Sequence, residues 1–376
     1  MVIGFDAKRA FCNATGLGNY SRMIISGLAE THPDDTLRLY TPCRKAEFMD
    51  VFSRFHNLYI NEPKHKMAGS LWRTFGIAAA MRREPIDLYH GLSHELPRGI
   101  PSNIPTVVTI HDLAPWRCPA NFPLPDRTSY RAKMRHACRR ADAIVAVSSS
   151  TKADMVEILG VPEEKITVVG QSCHPRFMSP VTEADRLAVK EKYALSDCYV
   201  VAVGTIEPRK NQLTAVRAMA EVNGKVSLVM VGHPKPYVEF VVKEIRRLRL
   251  EQRVKLLHEV DSADLPALYS GALCSLYLSL YEGFGIPVLE SMCCGTPVIC
   301  SNRSSLPEVG GDAAMLVNPD DESGVAQAVN RMATDSVFRE SLAERVRQQA
   351  NRFSQEKVIG DMYQVYQRLL EKGGLK

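Results

Sequence analysis

Residues 273–300 read LCSLYLSLYEGFGIPVLESMCCGTPVIC, and their pattern decides the fold. Leu273 to Leu280 form an apolar run of strand length, which reads as a buried strand. Glu282, Gly283, Phe284 and Gly285 follow as a glycine-rich loop. Pro287 suits the first turn of a helix, where its fixed φ fits and its missing N–H costs nothing. Val288, Leu289 and Met292 give that helix apolar positions, and Gly295 and Pro297 end it. Val298 to Cys300 is the next buried strand. A helix start with free backbone N–H groups binds phosphate, and flanking glycines let a ligand approach. Glu282, before the helix, suits sugar hydroxyls. Glu290, a turn in, suits a ribose, as acids do in nucleotide sites. On spacing alone, an exposed helix with two solvated glutamates fits equally well.

The same alternation extends in both directions. Cys198 to Val203 is an apolar strand that ends in Gly204-Thr-Ile-Glu-Pro-Arg209-Lys210-Asn211, with a helix from Leu213 to Met219 behind it. A guanidinium fork beside an ammonium, between strand and helix, suits an anion; two surface cations beside a turn are the plainer alternative. Val226–Val231 and Val254–Leu257 continue the series. In the first half, strands are expected at Val2–Phe5, Thr36–Tyr40, Ile86–Tyr89, Thr106–Ile110, Ala143–Val147 and Ile166–Val169. The region 45–80 shows only patches of helical pattern. Thr15-Gly16-Leu-Gly18-Asn-Tyr20 precedes an amphipathic helix running through Leu28, but lacks the third glycine of the dinucleotide fingerprint. Three strands end in polar residues, at His90, at His111-Asp112 and at Ser148–Ser150. That is the edge where open α/β sheets bind ligands.

Alternating strands and helices in both halves predict an α/β chain of two Rossmann-like parallel-sheet domains. Gly170 to Pro180 breaks the periodicity. The expected division is a first domain at 1–174, a linker at 175–181, a second domain at 182–355 and a terminal helix at 356–376. In that helix Val358, Met362, Val365, Tyr366 and Leu369 recur at helical spacing.

Composition narrows the class. The apolar fraction of 45% is that of an ordinary globular protein. No apolar run is long enough to span a bilayer, and the N-terminus carries no secretory pattern. The ten cysteines are scattered without zinc spacing, so free thiols in a reducing cytoplasm are expected. The net charge of +5 is carried by residues 1–180, where 23 Lys and Arg face 17 Asp and Glu. The run RAKMRHACRR, Arg131 to Arg140, holds five of these cations and no acid. It suits an anionic acceptor, lipid or nucleic acid, or simply a solvated helix face.

Several separated pieces together resemble one family. IGFDAK with TGLGNYS, VVTIHDLAP, DAIVAVSSSTKADM, VAVGTIEPRKN, YEGFGIPVLESMCCGTPVICSN and SSLPEVGGDAAMLVNPDD are similar, in this order, to the retaining nucleotide-sugar glycosyltransferases of family four. The resemblance implies the GT-B fold, with two domains facing a cleft and the C-terminal helix crossing back to the N-terminal one. It implies acceptor binding by the first domain and donor binding by the second. Glu290 would hold the ribose and Glu282 the donor sugar, with Gly283, Phe284, Gly285 and Ile286 close to sugar and phosphate. Arg209 and Lys210 would hold the diphosphate. Gly16 and Gly18 would lie beside it, and His111 near the reacting centre. GQSCHPRF departs from the family's usual linker. The opening motifs look most like bacterial mannosyltransferases of cell-surface polysaccharide assembly. GDP-mannose is the expected donor, with a UDP-sugar next, and a glycan or lipid-linked molecule the acceptor. No metal or other cofactor and no nucleic-acid partner are expected. The expected location is cytoplasmic, with peripheral contact at the anionic inner membrane face. A UDP-dependent glucosyl- or N-acetylglucosaminyltransferase, a sugar-nucleotide epimerase and a non-catalytic sensor are the alternatives. The missing third glycine disfavours a dehydrogenase.

Overall fold

The computed structural model describes residues 1–63 and 69–373. It contains two compact units, one of Met1–Ser172 with Ser354–Lys376 and one of Cys173–Phe353. Each is a wholly parallel sheet. The first has seven strands: β1 (Val2–Asp6), β2 (Thr36–Tyr40), β3 (Leu58–Asn61), β4 (Leu88–Gly91), β5 (Thr106–Ile110), β6 (Ala143–Ala146) and β7 (Ile166–Val168), in the order β3-β2-β1-β4-β5-β6-β7. The second has six: β8 (Tyr199–Val203), β9 (Ser227–Val231), β10 (Val254–Leu257), β11 (Cys274–Tyr277), β12 (Val298–Ser301) and β13 (Ala314–Val317), in the order β10-β9-β8-β11-β12-β13. Both are doubly wound Rossmann-like sheets. Their order reverses between β1 and β4 in one and between β8 and β11 in the other, which marks the ligand-binding point of such sheets.

The central strands are the ones legible in sequence. β5 is buried at all five positions, so it reads as a continuous β-branched run. β3 and β13 escape a sequence reading because both are short edge strands, with Tyr59 and Leu316 exposed. Residues 64–68, part of the weakly patterned region 45–80, lie outside the described residues.

Helix ends follow local chemistry. Ser148 caps the helix Ser149–Leu159 by accepting from the Thr151 N–H at 3.0 Å, and Thr182 and Asp185 form a capping box on Glu183–Lys192. The chain leaves the first unit between Ser172 and Cys173 and returns between Phe353 and Ser354. Pro175–Phe177 is a single helical turn, and Phe177 is buried 6.1 Å from the Tyr269 ring.

The terminal helix Gln355–Gly373 belongs to the first unit, as its apolar stripe requires; 374–376 lie outside the described residues. Val358, Met362, Val365 and Tyr366 sit in that unit's core beside Ile24, Leu28 and Leu88. The Tyr366 hydroxyl lies 2.7 Å from His90 Nδ1, and His90 Nε2 lies 2.8 Å from Thr109 Oγ1. His90 is therefore a satisfied core histidine, and burial pushes its pKa down to about 3. Tyr366→Phe should destabilise the protein by about 1–3 kcal/mol, because a buried nitrogen loses its partner. An unchanged urea midpoint would show that this bond contributes nothing to docking the helix.

One expectation is corrected. Cys12 and Cys43 are joined as a disulfide, and the other eight cysteines are free. The Lys45 N–H donates to the Phe11 carbonyl at 3.1 Å. That bond draws the loop after β2 against the short helix Lys8–Cys12, a proximity no cysteine spacing reveals. Among the described residues, no helix is long and apolar enough to cross a membrane.

Candidate functional site

The second unit gathers its candidate residues at its switch point. Arg209 and Lys210 follow β8, and Glu282 to Gly285 follow β11; β8 and β11 are neighbours. The two loops are stitched together by the Leu280 N–H, which donates to the Arg209 carbonyl at 2.9 Å. Residues 72 apart in sequence thus form one ion cluster. Glu282 Oε2 lies 2.9 Å from Arg209 Nη1, and Oε1 lies 2.5 Å from Lys210 Nζ. The Tyr277 hydroxyl donates to Oε1 at 3.1 Å and itself accepts from Lys210 Nζ. Arg209 also donates to the Tyr281 carbonyl at 2.8 Å and to Glu207 Oε1 at 2.8 Å. Glu207 Oε2 is paired with Lys235.

Three cations thus meet two carboxylates, which leaves one net positive charge in a largely buried site. Burial alone would raise the Glu282 carboxyl, but Lys210 and Arg209 outweigh it and hold it at about 2. Burial lowers the Lys210 ammonium despite the opposing pull of Glu282. Burial also works against the Arg209 charge, but Glu282 and Glu207 raise its pKa overall. Glu282 is therefore ionised, and it serves here as the counter-ion of the cation pair.

The glycine loop is held in a special conformation. Gly285 caps the helix Ile286–Cys293 with φ of 114°, and a Cβ there would come 2.6 Å from Leu306 Cδ2. Only glycine meets both conditions. The Ser305 hydroxyl donates to the carbonyls of Glu282 and Phe284 at 3.1 and 2.6 Å, and the Glu282 N–H donates to Ser304 Oγ at 2.9 Å. Ser304 is itself left-handed at φ 51°, a strain of the kind that gathers at functional sites. The Phe284 side chain turns away into the unit's core, edge-on to Phe353 at 5.3 Å. Ile286 opens the helix. Glu290, one turn on, accepts from the Tyr269 hydroxyl at 3.3 Å, and burial pushes its carboxyl up to about 7. Sequence reading missed Glu207, Lys235, Tyr277, Ser304 and Ser305. Only the SNRSSLPE loop beyond β12 hinted at the serines.

Gly16, Gly18 and His111 are in the first unit. Gly16 is exposed at the start of the helix Gly16–Thr31. Gly18 is buried where a Cβ would fall 1.8 Å from the Asn13 carbonyl oxygen, so packing alone requires a glycine there. His111 is buried. Its Nε2 donates to the Leu92 carbonyl at 2.9 Å, and its Nδ1 accepts from the Gln171 amide at 3.1 Å. Burial and the neighbouring His94 lower its pKa to about 3, so the ring is neutral. Tyr20, on the helix that Gly16 opens, meets it edge-on at 4.6 Å. Among the described residues, no group of three or more His, Cys, Asp or Glu is placed to hold a metal ion.

Two Rossmann-like sheets, the second with a cation pair and a glycine-capped helix at its switch point, are the architecture of a GT-B glycosyltransferase. The chain carries two glycosyltransferase family domains: residues 14–171 match the model described as Glycosyltransferase Family 4, and residues 185–353 match that of Glycosyl transferases group 1. It is 29% identical to the O-antigen chain mannosyltransferase B of Escherichia coli, over 94% of this chain and 96% of that protein. It is 31% identical to the O-antigen chain mannosyltransferase RfbU of Salmonella typhimurium over 60% of each. The crystal structure of Anabaena HepE in complex with UDP and glucose superposes with a TM-score of 0.76 at 19% identity, covering 98% of this chain and all of that one.

Proposed function

We propose that this enzyme is a retaining hexosyltransferase that moves mannose from a nucleotide diphosphate sugar to a glycan or lipid-linked acceptor of a cell-surface polysaccharide. GDP-mannose is the preferred donor. The carrying observation is the preorganised cluster of Arg209, Lys210 and Glu282 beside the Gly285-capped helix. The likeness to O-antigen mannosyltransferases supports the choice of sugar.

Transfer breaks the bond between the anomeric carbon and the diphosphate, so negative charge grows on the leaving phosphate. In this reading Arg209, Lys210 and the Gly285 helix start meet that charge, with Lys235 nearby. Fixed donors of this kind need little reorganisation during reaction, and the proposal calls for no metal or other cofactor. Glu282 holds the two cations in place and contacts the donor sugar. The backbone of Gly283 to Ile286 lies along sugar and phosphate, and Glu290 accepts from the ribose hydroxyls. Gly16, Gly18 and His111 contribute from the first unit. In this reading a phosphate oxygen of the donor takes the acceptor proton on the same face, which retains configuration. A panel of nucleotide sugars, read by release of GDP or UDP, tests the reading. No turnover with any donor and acceptor pair would overturn it. A UDP-sugar is the second reading, favoured by the UDP and glucose bound to HepE.

The Glu290 role has its own signature. A nucleotide that bonds the ionised carboxylate lowers a pKa that starts near 7. Binding at pH 7 should then release about half a proton, and affinity should rise from pH 6 to 8. Calorimetry in buffers of different ionisation enthalpy measures the release, and Glu290→Gln should abolish it. Wild-type binding without proton release would exclude this role.

We also propose peripheral contact with an anionic inner membrane face through the helix Leu124–Arg140. Much of its charge is tied locally: Arg131 donates to the Pro115 carbonyl at 2.7 Å and stacks over Trp116, and Arg140 pairs with Asp142 at 3.2 Å. Arg135 and Arg139 remain exposed. Sedimentation with liposomes should then depend on anionic lipid, and no such dependence removes the proposal.

A further inference from the structure

Within GQSCHPRF, the segment that departs from the family's linker, Cys173 to Phe177 have no part in the machinery assigned above. They lie against the C-terminal end of the helix Ile286–Cys293, the helix that carries Glu290. Cys173 is the first residue of the second unit and is buried. Its thiol donates to Cys293 Sγ at 3.1 Å, across 120 residues of sequence. The neighbouring Cys294 thiol turns to the Phe177 carbonyl instead, at 3.6 Å. Tyr269, whose ring lies 6.1 Å from that of Phe177, donates its hydroxyl to Glu290. All of these contacts lie within the second unit.

A buried thiol that only fills volume behaves as a small hydrophobe and needs no second sulfur. Here two sulfurs meet, and they are unequal. Cys173 is buried, whereas Cys293 is half-buried. The bond to Cys293, and then burial, raise the pKa of the Cys173 thiol. Cys173 therefore keeps its proton, and Cys293 is the sulfur that an oxidant reaches. A reachable thiol beside a resolving partner is the arrangement of redox-sensing cysteines.

We propose that Cys173 and Cys293 are a modification site, forming a reversible disulfide under peroxide that weakens nucleotide binding at Glu290. The Cys293 thiol gives up its proton and its sulfur attacks hydrogen peroxide. The O–O bond breaks: one oxygen stays as a sulfenic acid, and the other leaves as water with that proton. The Cys173 sulfur then attacks the sulfenic sulfur. The S–S bond forms, the S–O bond breaks, and the hydroxide leaves as water with the Cys173 proton. Two thiols are oxidised by two electrons, and one peroxide is reduced to two waters. A thiol reductant reverses the bond by exchange.

The bond draws the sulfurs from 3.1 Å to about 2.05 Å. Cys293 is one turn beyond Glu290 on the same helix, and the Cys294 N–H donates to the Glu290 carbonyl at 3.1 Å. A pull on that turn shifts the Glu290 carboxylate, and a misplacement of about 1 Å can cost as much as 10²-fold. The effect on binding rests on the reading of Glu290 as the ribose ligand; the cross-link does not.

Peroxide treatment of the full chain should link the two cysteine peptides, read by mass spectrometry without reductant. Cys173→Ser and Cys293→Ser should each abolish the link, and Cys294→Ser should keep it. In calorimetry, oxidation should weaken GDP binding by about tenfold, and dithiothreitol should restore it. Cys293→Ser should bind GDP alike before and after peroxide. No link in the wild type, or a link that survives in Cys293→Ser, would overturn the site. A link with unchanged affinity for both GDP and UDP would overturn the effect on binding. Reduced protein that binds neither nucleotide would overturn the Glu290 role and this effect together, while the linked peptide still decides the disulfide. Nucleotide binding without transfer from any donor would overturn the transferase reading alone.

Discussion

Arg209→Ala should lower kcat/KM for the nucleotide sugar by about 10²–10³, the usual cost of deleting one preorganised donor to a developing oxyanion. Arg209 is held before any ligand arrives, by the Tyr281 carbonyl, Glu282 and Glu207. Its cost of ordering is therefore met during folding rather than in the transition state. Lys210→Ala should behave alike, since Nζ is fixed by Glu282 and Tyr277. The loss should appear in kcat more than in KM if the contact strengthens as the diphosphate departs. Both variants also leave a buried carboxylate with fewer partners. Rates must be taken well below each variant's melting temperature, with circular dichroism confirming the fold. Near-wild-type turnover by a folded Arg209→Ala or Lys210→Ala protein would remove that residue from the mechanism.

Glu282→Gln should destabilise the protein by about 3–5 kcal/mol, the cost of breaking a buried ion pair from one side. Arg209 would keep Glu207, but Lys210 would face only neutral acceptors, the glutamine Oε1 and the Tyr277 hydroxyl, in place of its carboxylate partner. Its ammonium, already lowered by burial, would lose its proton more readily still. The pH dependence supplies a second reading. The folded-state pKa of Glu282 is held near 2, below the ordinary glutamate value of about 4.3 in an unfolded chain. Its stabilisation is therefore complete above that value and is lost as pH falls towards 2. Wild-type and variant stabilities should differ most near neutrality and converge in acid. Parallel curves down to pH 3 would show that Glu282 is not the cluster's counter-ion.

Both predictions depend on a contact that no spacing rule contains. Strand–loop–helix order around 273–300 and the EPRK run after Val203 were legible because each is local. Apolar run length, Pro287 in the first helical turn and a glycine at the cap act within a few residues. The meeting of Arg209 with Glu282 is not local. It follows from strand order, since β8 pairs with β11 across the reversal of the sheet. Lys235 joins from β9 by the same rule and had no motif to announce it. Phe284 shows the opposite case: it lies within the decisive stretch, yet its ring is core.

The two histidines show how far strand-end chemistry carries. His90 and His111 end equivalent strands and looked alike. Packing made the first a partner of Tyr366, 276 residues away, and gave the second a fixed tautomer through Leu92 and Gln171. Gly18 was read as a ligand contact, and the close approach of the Asn13 carbonyl gives a second, purely structural reason for a glycine there.

Hydrophobic periodicity and cap chemistry, acting over a few residues, were enough to specify two parallel-sheet units and a terminal helix. Family resemblance added the transferase class. The charge state of Glu282 and Glu290 and the tethering of His111 were decided only by tertiary packing. Burial and long-range partners set a side chain's proton, orientation and accessibility, and both arise only once distant strands lie side by side.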